Sequence, residues 1–420
     1  MTHARLNLAW LILWGALSWA APATAEPISH WNDIAVRAVS AGRPGAPGFL
    51  DLALVHAAMH DAVQAHERRF EPYLSRVRHA SGAAEAAAAA AAHGVLVGIY
   101  PSQRAALDAD LAAFLEAHGL VGDAGLETGE RVAAEMLTAY RPAPALPAYT
   151  GGMAIGQWRP TPSYQGNPPA PPPFSPMAAL YLSFTRPYTL RHAAQFRVPP
   201  PPPVRSGRYR RDYDEVRAMG ALTGSARTPD QTDMAYFWND NVVTQWSRVL
   251  RQVSESSLAT TGDRARLFAL AYLATSDALI SAWESKYHYS YWRPVTAIQE
   301  GDADGNPRTD GDPEWQPLAN TPNYPDYPSG ANGVSGAMTA TLRGVLGTNH
   351  LSFTISSAAP NVTERTRTYQ KLSEAADEVV EARMYLGFHF RFADEVARDQ
   401  GERVAGWVLR KYLRPRHGKR

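Results

Sequence analysis

Between about residues 141 and 205 the chain is broken repeatedly by proline, and this stretch limits the available folds more than any other feature. Runs such as Pro168-Pro-Ala-Pro-Pro-Pro173 and Pro199 to Pro203 cannot sustain a helix or a central strand, because proline lacks the backbone N–H and its ring clashes with the preceding turn. The composition is not that of a disordered linker. Tyr164, Phe174, Tyr181, Phe184, Tyr188 and Phe196 are spread through it, whereas disordered segments are poor in aromatic rings. An extended arm is expected, its rings packed on the helical parts at 26–140 and 206–420 so that these form one compact unit.

Those flanking parts read as helix. Leu52, Val55, Met59 and Val63 recur at helical spacing, and an Ala-rich run follows at 83–92. Further helices are expected at 101–117, 127–140, 212–220, 228–253, 263–286, 333–346, 362–385 and 392–412. Thr228 and Pro229 suit the N-cap and first helical positions. Leu267, Phe268, Leu270, Tyr272, Leu273, Leu279, Ile280 and Trp283 leave no polar face, which predicts a central, buried helix. No alternating pattern of useful length is expected to form strands, so the fold class is all-α.

The first 25 residues have the build of a signal peptide: Arg5, an apolar stretch from Leu8 to Ala21, and Ala23-Thr24-Ala25 as a cleavage site. The apolar stretch is shorter than the ~20 residues that span a bilayer, so a periplasmic or secreted protein without a membrane span is expected. The chain has no cysteine, which excludes disulfides, thiolate metal sites and cysteine nucleophiles. A net charge of +1 argues against nucleic acid as a partner. Oligomeric state is left open, a homodimer included.

Three segments carry oxyanion chemistry: Lys286-Tyr-His-Tyr-Ser-Tyr-Trp-Arg293-Pro294, Tyr327-Pro-Ser329-Gly330-Ala-Asn332 and Arg383-Met-Tyr-Leu-Gly387-Phe-His389. Arginine presents forked donors to a tetrahedral anion and lysine a compact charge. A Ser-Gly turn opening a helix aims backbone N–H groups at an anion, and neutral histidine serves as nucleophile or ligand. Lysine occurs only four times in the chain, and one of the four is Lys286. Pro294 biases Arg293 towards extended backbone, and Gly387 is expected to break the helix so that His389 starts the next one.

In their order and spacing these segments resemble the superfamily of type 2 phosphatidic-acid phosphatases and vanadium-dependent haloperoxidases, particularly its soluble bacterial haloperoxidase-like members. That family's signature is Lys-x6-Arg-Pro, then Pro-Ser-Gly-His, then Ser-Arg-x5-His-x3-Asp. Lys286, Arg293, Pro294, Arg383 and His389 match it, and the resemblance extends to the 55–62 helix and the arm. It implies an all-α fold of helical bundles with the site in a bundle core. It further implies that His389 bonds vanadium, while Lys286, Arg293, Ser329, Gly330 and Arg383 hold the anion's oxygens. Vanadate is then the cofactor, phosphate the alternative occupant, and hydrogen peroxide and halide the co-substrates. The same fold implies an alternative, an acid phosphatase with His389 as nucleophile towards a small phosphoester.

Three positions depart from the signature. Ala331 stands where the acid–base histidine is expected, Ala382 replaces the serine before Arg383, and Ala393 replaces the aspartate that orients the ligand histidine, with Asp394 one residue further on. Loss of a positioned acid–base group removes roughly 10²–10⁴-fold in rate. His288 is the nearest candidate proton carrier, and a non-catalytic oxyanion-binding protein is a further reading. His56, His60 and Asp61 are read as packing residues rather than a metal site, and Asp302-x-Asp304-x-Asn306 as a solvated turn.

Overall fold

The computed structural model describes residues 26–77, 80–142, 144–162 and 174–416. The expected signal peptide and the proline run at 168–173 lie outside these residues. Thirteen α-helices form the described body. The first part holds α1 (Pro27–Gly42), α2 (Gly48–Glu67), α3 (Ala84–Ile99), α4 (Arg104–Ala117) and α5 (Gly125–Leu137). After the arm come α6 (Gly207–Met219), α7 (Pro229–Phe237), α8 (Val242–Ser257), α9 (Thr261–Tyr289) and α10 (Pro294–Gln299). The last are α11 (Gly330–Leu346), α12 (Leu372–Tyr385) and α13 (Arg391–Lys411).

Helix α9 is the axis. Thr260 caps it by accepting the Asp263 N–H, and Ser290, at φ 44°, ends it. Its length and apolar character would let it cross a bilayer, but 94% of that apolar window is buried inside the protein. It is a core helix, packed against α2, α11 and α13. Helices α11 and α13 approach to backbone contact because glycines line the seam. A Cβ on Gly401 would lie 2.1 Å from the Gly333 carbonyl oxygen, and one on Gly336 would lie 2.3 Å from that of Arg398. This seam brings the start of α11 beside the start of α13.

Two expected elements differ. The helix predicted over 228–253 is two helices, because Asn241 turns its side chain onto the Val243 and Thr244 N–H groups and starts α8. Asn-Asp-Asn at 239–241 supplies three residues that favour caps over helix interior. Thr228 and Gln231 form a capping box at the start of α7, in keeping with the expected N-cap. The helix predicted from residue 362 begins only at Leu372, and an antiparallel hairpin of β1 (His350–Ser356) and β2 (Thr366–Lys371) precedes it. Phe353 and Ile355 face inward in β1, with Phe353 stacked on Tyr369. The alternation is present in the sequence but short.

The arm is bound to α9 by polar contacts. Buried Asp277 accepts the Tyr188, Thr189 and Leu190 N–H groups at 2.7, 2.7 and 3.1 Å and the Thr189 hydroxyl. The Ser183 hydroxyl donates to the Trp283 carbonyl, and Trp283 Nε1 donates to that of Ala178. In α2, His56 stacks on Tyr272 and Asp61 accepts the N–H groups of residues 73 to 75. Among the described residues no group of three or more potential ligands forms a metal cluster. The 302–312 turn is less solvated than expected. Asp304 is buried and accepts the Asn306 N–H and the Thr309 hydroxyl.

Candidate active site

Four chain segments end at one buried place: the last turn of α9, the loop before α10, the start of α11, and the link from α12 to α13. Lys286 is fully buried, and its Nζ donates to the Pro325 and Asp326 carbonyls at 2.6 and 3.0 Å. Arg293 lies past the end of α9 with extended backbone (φ −85°, ψ 156°), and Pro294 begins α10. Its guanidinium donates to the Tyr324 and Phe388 carbonyls at 2.8 and 2.7 Å. Lys286 and Arg293 both sit 4.8 Å from the Tyr324 ring centre, so one aromatic ring serves both cations.

Gly387, at φ 74°, ends the α12 turn as expected, but α13 starts only at Arg391 behind Phe390, so His389 lies in the link instead of starting the next helix. Its Nδ1 is 2.7 Å from Asp326 Oδ1, both groups fully buried. That contact places the proton on Nδ1 and leaves the Nε2 lone pair for a ligand or electrophile. Arg293 Nη1 stands 3.3 and 3.2 Å from the two ring nitrogens. Arginine only donates, so its N–H rests on Nε2, the nitrogen that the Asp326 contact leaves unprotonated. Burial, and then the charges of Arg293, Lys286 and Arg383, hold the His389 imidazole well below its ordinary value, so it is neutral.

Arg383, on α12, stacks on Phe388 at 4.8 Å and spends one N–H on the Trp238 carbonyl at 3.4 Å. Its buried Nε has no partner. Ser329 is the N-cap of α11 but makes no side-chain cap bond. The first helical bond is donated by the Gly333 N–H to the Ser329 carbonyl, so the N–H groups of 330 to 332 precede the ladder and are available to an anion. A Cβ on Gly330 would lie 2.6 Å from the Trp283 ring, which makes glycine a steric requirement there.

The cluster thus holds Lys286, Arg293 and Arg383 against two buried carboxylates, Asp326 and Asp394. Burial pushes Asp326 up to about 7 despite Arg293 and Lys286. It pushes Asp394 well above the usual carboxylate range as well. Burial, followed by Arg293, lowers Lys286 well below its ordinary value. An isolated buried charge is costly unless paired, and the Arg293 and Arg383 guanidiniums, with Lys286 beside them, facing two reluctant carboxylates favour an added anion. The orphaned Arg383 Nε and the uncapped α11 start fit a tetrahedral oxyanion, with the unprotonated Nε2 of His389 and the Arg293 guanidinium that touches it beside them.

Of the residues singled out from sequence, Lys286, Arg293, Ser329, Gly330, Arg383 and His389 are all brought to this place. His288 is not. It is exposed, with its ring edge on Tyr289, because two residues along a helix is more than half a turn away from Lys286. Asp394 bonds Asn332 at 2.7 Å rather than His389; the orienting carboxylate is Asp326, which no sequence motif marked. Trp283 and Tyr324 were missed in the same way. The one available signal was position, with Asp326 three residues before Ser329.

Residues 266–418 match the family model described as the VCPO second helical-bundle domain. Over 172 residues the chain is 31% identical to the vanadium chloroperoxidase of Curvularia inaequalis, an alignment covering 35% of this chain and only 28% of that relative. The fold is similar to the crystal structure of a bacterial vanadium-dependent iodoperoxidase, with a TM-score of 0.77 and 22% identity, over 95% of this chain and all of that one. It is also similar to apo-type and holo-type bacterial vanadium-dependent chloroperoxidases. Both have a TM-score of 0.69 and 18% identity. The apo-type match covers 88% of this chain and 93% of that one, and the holo-type match 93% and 96%.

Proposed function

Since this chain has the vanadium haloperoxidase fold and, over its last third, the second helical bundle of that family, we propose that it is a vanadium-dependent haloperoxidase-like enzyme. In this reading His389 bonds vanadate and the enzyme oxidises halide with hydrogen peroxide. The carrying observation is the convergence of Lys286, Arg293, Arg383 and neutral His389 in one buried cluster, with Asp326 fixing the imidazole tautomer. Vanadate, when bound, supplies an electrophilic centre at which peroxide is activated for oxygen transfer to halide, giving hypohalous acid.

Each of this chain's residues then has a separate task. Asp326 holds the Nδ1 proton so that Nε2 faces the anion. Arg383 offers its unspent guanidinium donors, and the N–H groups at the start of α11 offer a helix N-terminus. Lys286 and Arg293, anchored by backbone carbonyls, contribute charge at fixed positions. Each charge-assisted bond is worth about 1.5–3 kcal/mol, so a few retain the anion without a carboxylate cage. The Tyr324 and Trp283 rings close the cluster against water. Export directed by the first 25 residues remains part of this reading.

The test is halogenation of a dye with vanadate, peroxide and halide, set against phosphomonoester hydrolysis by the vanadate-free protein. Halogenation that depends on vanadate and on His389 supports the proposal. Hydrolysis alone would mean a phosphatase of the same fold. Tight vanadate or phosphate retention with neither activity would mean an oxyanion-binding protein, the reading favoured by Ala331 at the acid–base position.

A further inference from the structure

With Ala331 in place of an imidazole and His288 facing solvent, the cluster needs another group able to present a proton to a bound oxyanion. Asp394 is fully buried at the first turn of α13. The Ser329 N–H bonds the Ala393 carbonyl at 3.0 Å, which fixes Asp394 against the start of α11. The Asn332 amide donates to Asp394 Oδ1 at 2.7 Å and to the Ser329 hydroxyl oxygen at 3.3 Å. The other carboxyl oxygen, Oδ2, is buried and has no partner.

This arrangement is informative because of what it leaves unmade. A buried carboxylate with one bare oxygen carries the full desolvation cost of that oxygen. A neutral acid avoids it, and the Asn332 donor on Oδ1 directs the proton to Oδ2. From these contacts we infer that Asp394 serves as a neutral carboxylic acid whose Oδ2–H donates a hydrogen bond to the tetrahedral oxyanion held at Ser329 and the α11 N-terminus. It takes the place left empty by Ala331, reaching the anion from α13 instead of α11. The inference rests on the anion-site reading given above. It adds that anion class is chosen by Asp394: the neutral acid accepts a fully deprotonated anion, and the ionised carboxylate repels it.

The charged and titratable groups around Asp394 come from every neighbouring element. They are Lys286 on α9, Arg383 on α12, and Asp326 in the loop before α11, with Arg293 and His389 beyond. Burial keeps Asp394 neutral over a wide range, opposed by Ser329, Arg383 and Asn332 and reinforced by Asp326.

Sulfate is the probe, because it stays a dianion from mildly acidic to alkaline pH, so any pH dependence belongs to the protein. Calorimetric sulfate affinity of the full chain is measured across that range for wild type, Asp394→Asn and Asp394→Ala. Wild type should weaken by about tenfold per pH unit once Asp394 ionises. Asp394→Asn keeps a donor at the Oδ2 position and cannot ionise, so its slope should be smaller by one proton. Asp394→Ala should bind more weakly than Asp394→Asn throughout. Coincident slopes for wild type and Asp394→Asn overturn the inference while leaving the anion site intact. Absence of sulfate, phosphate and vanadate binding at every pH overturns the site and this inference together. Should Asp394→Asn fail to fold, Asp394→Ala takes its place in the slope comparison: a slope smaller than that of wild type by one proton supports the inference, and coincident slopes overturn it.

Discussion

Replacing Asp326 by Asn should change how the protein's stability depends on pH. Asp326 is fully buried, and its carboxyl is raised from 3.8 to about 7. A group raised on folding binds more protons in the native state than in the unfolded chain between those two values. Its contribution is therefore fully present below about 3.8 and is lost as pH rises through about 7. Moving a titration by one pH unit corresponds to about 1.4 kcal/mol, so the window is worth a few kcal/mol. The amide introduced by Asp326→Asn would still accept the His389 Nδ1–H but cannot titrate. Urea unfolding of the anion-free protein over a pH series is the assay. The difference in unfolding free energy between wild type and Asp326→Asn should change steadily across the window, in the direction of wild type losing stability as pH rises. Other raised acids, such as Asp61 and Asp277, cancel in that difference. Parallel curves for the two proteins would refute the reasoning, since they would mean that burial of Asp326 costs nothing on ionisation.

Further outcomes can be checked one at a time. Arg383→Ala removes a guanidinium with a partnerless buried Nε, and vanadate affinity by calorimetry should fall by about 10–100-fold, the equivalent of one charge-assisted bond. Ala331→His should raise vanadate-dependent dye halogenation, by up to roughly 10²–10⁴-fold if the new imidazole reaches the anion; no gain would assign proton supply elsewhere, Asp394 first. Asp277→Ala leaves three arm N–H groups and the Thr189 hydroxyl without their acceptor. At about 1–3 kcal/mol per orphaned group, it should lower the melting temperature and expose residues 174–205 to limited proteolysis; an unchanged digestion pattern would show that Asp277 does not anchor the arm.

Features set by neighbours along the chain were legible in the sequence. Thr228-Pro229 started a helix where capping chemistry placed it, Pro294 kept Arg293 extended, Gly387 ended α12, and the apolar faces of 263–286 produced a buried axis. The set of residues that meets at the candidate site was also readable, because Lys286, Arg293, Ser329, Gly330, Arg383 and His389 keep a recognisable order and spacing. Tertiary structure decided the rest. Which carboxylate orients His389 depends on how the 322–328 loop folds over α9, and that loop has no periodicity to read; Asp326 wins over Asp394 because the start of α13 turns Asp394 towards Asn332. The exposure of His288 was fixed by where it falls around α9, and the split of 228–253 by one asparagine side chain competing for two N–H groups. Spacing along a chain carries local geometry, whereas the pairing of buried charges is settled only when distant segments meet in a place that water has left.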